Sequence, residues 1–164
     1  MKEALTYFKA ERTESLLFIA AGGASVLLAL WFWFSVKKPF YNGLATSLAA
    51  LALIQLVVGF TVYFRTPLDI KKVETFLMND PSKIKSEELP RMENVMHAFV
   101  TYRYAEIVLA MAGLAIILYF KEPGYWKGFG AALLAQAVLM LIFDSFAENR
   151  GKVYLTFLRS FVEQ

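Results

Sequence analysis

Four runs of apolar residues dominate this chain, and charged positions fall mostly in the intervals between them. Residues 15–36, SLLFIAAGGASVLLALWFWFSV, carry no charge. At about 1.5 Å per residue that run makes roughly 33 Å of helix, enough for a hydrocarbon core of about 30 Å. Residues 41–64 repeat the pattern with Gln55 as the strongly polar position in the middle. A third run covers 99–120 and contains Arg103 and Glu106, and a fourth covers 125–146 and carries Asp144 near its end. Four closely spaced spans predict an all-α polytopic membrane protein, built as an antiparallel four-transmembrane-helix bundle in one domain, residues 1–164. The first run is too long for the roughly 7–15 residues of a signal-peptide core and follows Glu11 and Glu14, so it is expected to stay as a span.

The intervals differ in length. Pro39 and Pro123-Gly124 punctuate two short turns. The long connection, 66–98, opens with Thr66-Pro67, a hydroxyl cap followed by proline, which reads as a helix start. Ile70, Val73, Phe76 and Leu77 then recur at helical spacing, predicting an amphipathic helix between spans 2 and 3 that lies at the headgroups. NDPS, residues 79–82, ends it, and the Ser86–Pro90 stretch begins the helix that enters the third span. The tail, 147–164, keeps Val153, Phe157 and Phe161 at four-residue spacing and predicts a helical C-terminal extension, with Gly151 as a possible bend.

Composition adds orientation. The chain is 58% hydrophobic with a mean hydropathy of +0.49, a formal charge of +3 and a pI near 9.1. Thirteen of its 17 lysines and arginines fall in the N-terminal segment, the long connection with the start of span 3, and the tail. Such asymmetry places both termini and the long connection in the cytoplasm, most naturally of a bacterial inner membrane. The basic balance therefore describes topology, and nucleic acid is not an expected partner. Trp31, Trp33, Tyr41, Tyr119, Tyr125 and Trp126 cluster at the opposite boundary, where amphipathic rings are favoured. Zero cysteines exclude disulfides, thiolate metal sites and cysteine nucleophiles.

The candidate chemistry is a set of ionisable groups at the cytoplasmic ends of spans 3 and 4: His97, Arg103, Glu106, Asp144, Glu148 and Arg150. Counting down from Phe120, Glu106 lies about 21 Å and Arg103 about 25 Å below the outer boundary, with Asp144 about 28 Å below Tyr125. Charges at that depth are expensive in lipid and should turn inward and pair. Arg103 is therefore expected to pair with Asp144 or Glu106, and Glu148 and Arg150 to reach Tyr102, His97 or Arg65. Glu93 with His97, and Asp144 with Glu148, share helix faces at ligand spacing, but bundle metal sites draw two histidines and this chain has one. No metal or other cofactor is assigned, and no catalytic residue: Ser145 adjoins Asp144 without an imidazole shown to reach it.

Small residues at 20–25, 43–50 and 128–135 give three spans smooth faces for close packing, within the chain or between copies. In size and span count the chain resembles the family of membrane-associated proteins of eicosanoid and glutathione metabolism. That family's arginine and asparagine motif has no counterpart here, so no residue role follows. The expected function is a non-enzymatic interaction protein of the inner membrane, an accessory subunit or an immunity-type protein that neutralises a toxin. Its partners would be membrane lipids and a protein or a second copy. The alternatives are an oligomeric proton or ion conductor using Glu106, and a small enzyme for a lipophilic substrate.

Overall fold

The computed structural model describes residues 2–163, nearly all of them helical. Helix α1 is Lys2–Trp31 and widens into a π-helical turn at Phe32–Val36; α2 is Pro39–Asn79, and a second π-helical turn, Ile84–Glu88, leads into α3, Leu89–Tyr119. Helix α4 is Tyr125–Val162. All four are long and apolar enough to cross a membrane. Lys37 ends the first helix in a left-handed conformation (φ 51°), its amide returning to the Phe32 carbonyl, and Pro39 opens α2 in its first turn.

The helices outrun the bilayer. Helix α2 has 41 residues, about 61 Å of rise, so roughly half of it stands outside a hydrocarbon core of about 30 Å. The separate headgroup helix expected after Thr66-Pro67 does not form, because α2 passes straight through Pro67. Proline removes one backbone hydrogen bond, but Val73 and Phe76 beyond it are buried against α1 and the second π-turn, which favours the continuous course. Gly151 likewise does not break α4.

Neighbours are arranged as α1–α2–α4–α3. Helix α1 packs chiefly on α2, α2 also on α4, and α3 on α4, while α1 touches α4 lightly. Among the described residues α3 makes no close backbone approach to α1 or to α2, although the π-turn before it touches α2. The central pair, α2 and α4, is parallel: Gly43 lies against Tyr125 and Phe129, and further along Gln55 meets Gln136. The bundle is thus flattened, with α2 and α4 in contact at its centre.

Two kinds of packing hold it. Within the apolar half, contacts run through Gly22 and Gly59 (α1–α2), Gly43 and Gly128 (α2–α4), Gly113 and Gly130 (α3–α4), with Ala29, Ala45, Ala52, Ala132 and Ala137 buried. Lipid gives helices no hydrophobic reason to associate, so close backbone approach through small residues must supply the attraction. Toward the two termini the core becomes large: Tyr7, Phe8, Val73, Phe76, Ile84, Met92, Tyr154 and Leu158 form one cluster. Burying big apolar side chains is favourable wherever the surroundings are water. Around the other half, Leu16, Leu17, Leu27, Val57, Phe60, Val108, Met111, Leu118, Ile142 and Phe146 are exposed, an apolar girdle suited to acyl chains.

Candidate functional site

Charged side chains gather where the girdle stops, and they join helices in pairs. Arg103 of α3 bonds Glu148 of α4, and Lys152 reaches the same carboxylate at 2.8 Å one turn further on. Arg150 of α4 bonds Glu14 of α1. Glu11 of α1 accepts from Thr66 at 3.2 Å and Arg65 at 3.4 Å on α2, and Arg65 also meets Asp69 at 2.9 Å. Arg12 donates to the Tyr63 hydroxyl at 3.0 Å. The belt therefore ties α1 to α2, α1 to α4 and α3 to α4. Burial raises the Glu11 carboxyl above its ordinary value, although Arg65, Arg91 and the Thr66 hydroxyl pull the other way. Burial lowers Arg150, opposed by Tyr7 and Glu11.

Toward the termini a second network centres on a buried acid. Glu88, 2% exposed, takes two hydrogen bonds from Arg91, at 2.8 Å from Nε and 2.6 Å from Nη2, and a third from the Tyr154 hydroxyl at 3.0 Å. Tyr154 stacks on Tyr7 with ring centroids 4.5 Å apart, and the Arg91 guanidinium lies 5.9 Å over Phe8. Burial of the ring and the neighbouring Glu88 carboxylate both push the Tyr154 hydroxyl up, so it stays a donor. Burial works most strongly against the charge of Arg91, but its hydrogen bonds to Glu88 and the charges of Glu88, Tyr7 and Asp69 together raise it.

Deeper in the apolar half are two polar features. Gln136 of α4 accepts from Gln55 of α2 at 3.1 Å and donates to Ser25 of α1 at 2.9 Å, a layer that pins three helices together. Glu106 of α3 is 3% exposed and faces Asp144 of α4 closely enough for their carboxyls to interact, with Arg103 nearby. One Glu106 oxygen has no hydrogen-bond partner in the protein.

The sequence-derived residues thus fall into separate places. Glu106 and Asp144 meet, and Arg103 lies near them, but its ion pair is with Glu148 one turn beyond Asp144. Arg103 thus passes over Asp144 for Glu148, the more buried of the two acids at 7% exposed. Arg150 finds Glu14 rather than Tyr102, His97 or Arg65. His97 is exposed, and Glu93 pairs with Arg159 at 2.9 Å. Among the described residues no group of three or more histidine, aspartate and glutamate side chains could hold a metal ion. Glu11, Glu14, Glu88, Arg91 and Tyr154 escaped the sequence reading. The available signal was helical spacing: Arg150 and Tyr154 share one face of α4, and Glu88 and Arg91 one face of the turn entering α3.

Comparison with known proteins brings no relative: no protein-family model, curated protein or solved structure matches this chain. Function therefore has to be argued from the surfaces and sites themselves.

Proposed function

We propose that this chain is a non-enzymatic interaction protein of a bacterial inner membrane, with both termini and the α2–α3 connection in the cytoplasm. It would act as an accessory subunit or as an immunity-type protein that neutralises a membrane-active toxin. The supporting observation is the one-sided packing of α3. Only 11% of its most apolar stretch is buried, against 28% in each of the other three helices. Tyr104, Val108, Met111, Leu114 and Leu118 are left outward over several turns. The charged belt fits the same reading, since its acids and bases are engaged with one another between helices rather than converging on a reaction centre. A photo-crosslinking residue at Val108, Met111 or Leu118 should capture one protein of fixed mass in native membranes, whereas Val57 on α2 should not. Adducts to lipid alone from every position would overturn the reading. Cysteines introduced at positions 2, 80 and 164 should label from the cytoplasm and one at 124 from outside, and the reverse would overturn the orientation.

One observation favours a second reading, an oligomeric proton or ion conductor: Glu106 facing Asp144 inside the span, with one carboxyl oxygen unpartnered. Reconstituted protein would then carry a proton or cation flux that Glu106→Gln removes while helicity and oligomeric state persist. Absence of flux from the unaltered protein would dismiss this reading.

A further inference from the structure

The light contact between α1 and α4 leaves a groove of about 330 Å³ at the terminal end, lined by Lys2, Glu3, Thr6 and Tyr7 on one side and Arg150, Val153 and Tyr154 on the other. The stacked Tyr7–Tyr154 pair, 10° from parallel, joins its two sides. Both hydroxyls are committed elsewhere, Tyr7 to Glu11 and Tyr154 to Glu88, so neither is offered to a ligand. Val153 stands beside them 69% exposed, outside the apolar girdle. Arg150 and Lys2 supply positive charge at the two ends; Glu3, the carboxylate in the lining, is engaged within the protein.

The level of the groove narrows the ligand. Phe146 is the last strongly exposed apolar residue of the girdle on α4, and Arg150 follows it by about 6 Å of helix rise. Headgroups occupy roughly the first 5–7 Å beyond hydrocarbon, so the Arg150 guanidinium sits at phosphate depth. Glu14 holds one part of that guanidinium, and a fork of five N–H donors leaves others for a second acceptor. Lys2 lies nearer water and can reach up along its apolar stem. Basic pockets between helices at this level suit lipid phosphates.

We propose that this groove binds the headgroup of an anionic phospholipid, with its phosphate on Arg150 and its outer polar part reaching past Val153 toward Lys2. The test uses the full chain in detergent, exchanged with phosphatidylglycerol or phosphatidylcholine and read by native mass spectrometry. Phosphatidylglycerol should remain bound with one copy per chain, and phosphatidylcholine should wash away. Lys2→Glu and Val153→Trp, which reverse one end of the groove and fill its middle, should each lower retention about tenfold. Lys71→Glu, at the same end of the protein on α2, should leave retention unchanged. Melting temperature measured alongside separates loss of ligand from loss of fold. Equal retention of the two lipids, or of phosphatidylglycerol by both groove variants, would overturn the proposal. Inorganic phosphate that displaces the lipid completely at matched concentration would assign the site to free phosphate instead.

Discussion

Replacing Glu88 tests whether the terminal end of this protein is a true buried core. The carboxylate is 2% exposed and is the acceptor for three donors, two from Arg91 and one from Tyr154. In Glu88→Ala the Arg91 side chain, 26% exposed, can turn partly toward water, which limits the penalty for its charge. The Tyr154 hydroxyl, on a residue 1% exposed, cannot. Breaking a buried ion pair costs about 3–5 kcal/mol, and an orphaned buried hydroxyl about 1–3 kcal/mol. With Arg91 partly relieved, a total loss of about 3 kcal/mol is expected. Tyr154→Phe leaves the Glu88–Arg91 pair intact and should cost about 1.5 kcal/mol, the value of one hydrogen bond to a charged group. The double change Glu88→Met with Arg91→Met removes both charges together and should recover much of the loss, because apolar pairs of similar volume often replace buried ion pairs at little cost. A coupling of about 2 kcal/mol between positions 88 and 91 is expected from the cycle. The assay is loss of helicity during denaturant titration in mixed micelles, followed by circular dichroism. Single changes costing under about 0.5 kcal/mol, with additive effects, would refute the enclosed network and mean that water reaches Glu88.

Two other expectations use the same measurement. A Cβ at Gly113 would stand 2.7 Å from the Leu134 amide nitrogen and 2.8 Å from the Gly130 carbonyl oxygen, so Gly113→Ala must push α3 off α4, at about 1–3 kcal/mol. Gly23, whose added Cβ meets nothing within 4 Å, is the control, and Gly23→Ala should be neutral or stabilising by up to about 1 kcal/mol from helix propensity. Equal effects at the two glycines would contradict the packing described. Glu11 sets a pH dependence. Its carboxyl is raised from an ordinary 4.5, chiefly by burial, so its contribution favours the folded state below 4.5 and is withdrawn as pH climbs through the raised value. Glu11→Gln should therefore flatten the fall in stability above pH 4.5, and an unchanged slope would place the titration elsewhere.

Much of the architecture was legible in the pattern of residues. Apolar runs the length of a bilayer, two of them free of charge, specify the spans, because hydrocarbon admits only backbones whose hydrogen bonds close internally, and a helix closes them within one segment. The depths of Glu106 and Asp144 followed from rise per residue alone. Partnership did not follow. Arg103 has Asp144 and Glu148 within one turn on α4, and only the packing angle selects between them. Glu14 and Arg150 are 136 residues apart in sequence, so no local spacing links them.

Pro67 marks the same divide from the side of local structure. A proline after a threonine starts helices more often than it interrupts them, so local preference pointed to a break. The course of α2 was decided by where Val73 and Phe76 could be buried, which is a property of the neighbours. Sequence by itself determined four membrane-length helices, the small residues that let them approach, and the concentration of charge at one end. The tertiary structure alone decided that α2 and α4 would be the touching pair, that α3 would keep most of its face outward, and which acid meets which base. The physical reason is that hydrophobicity and helix rise are properties of one segment read against its solvent. Pairing depends instead on angles and distances between segments, which exist only once all four helices have packed.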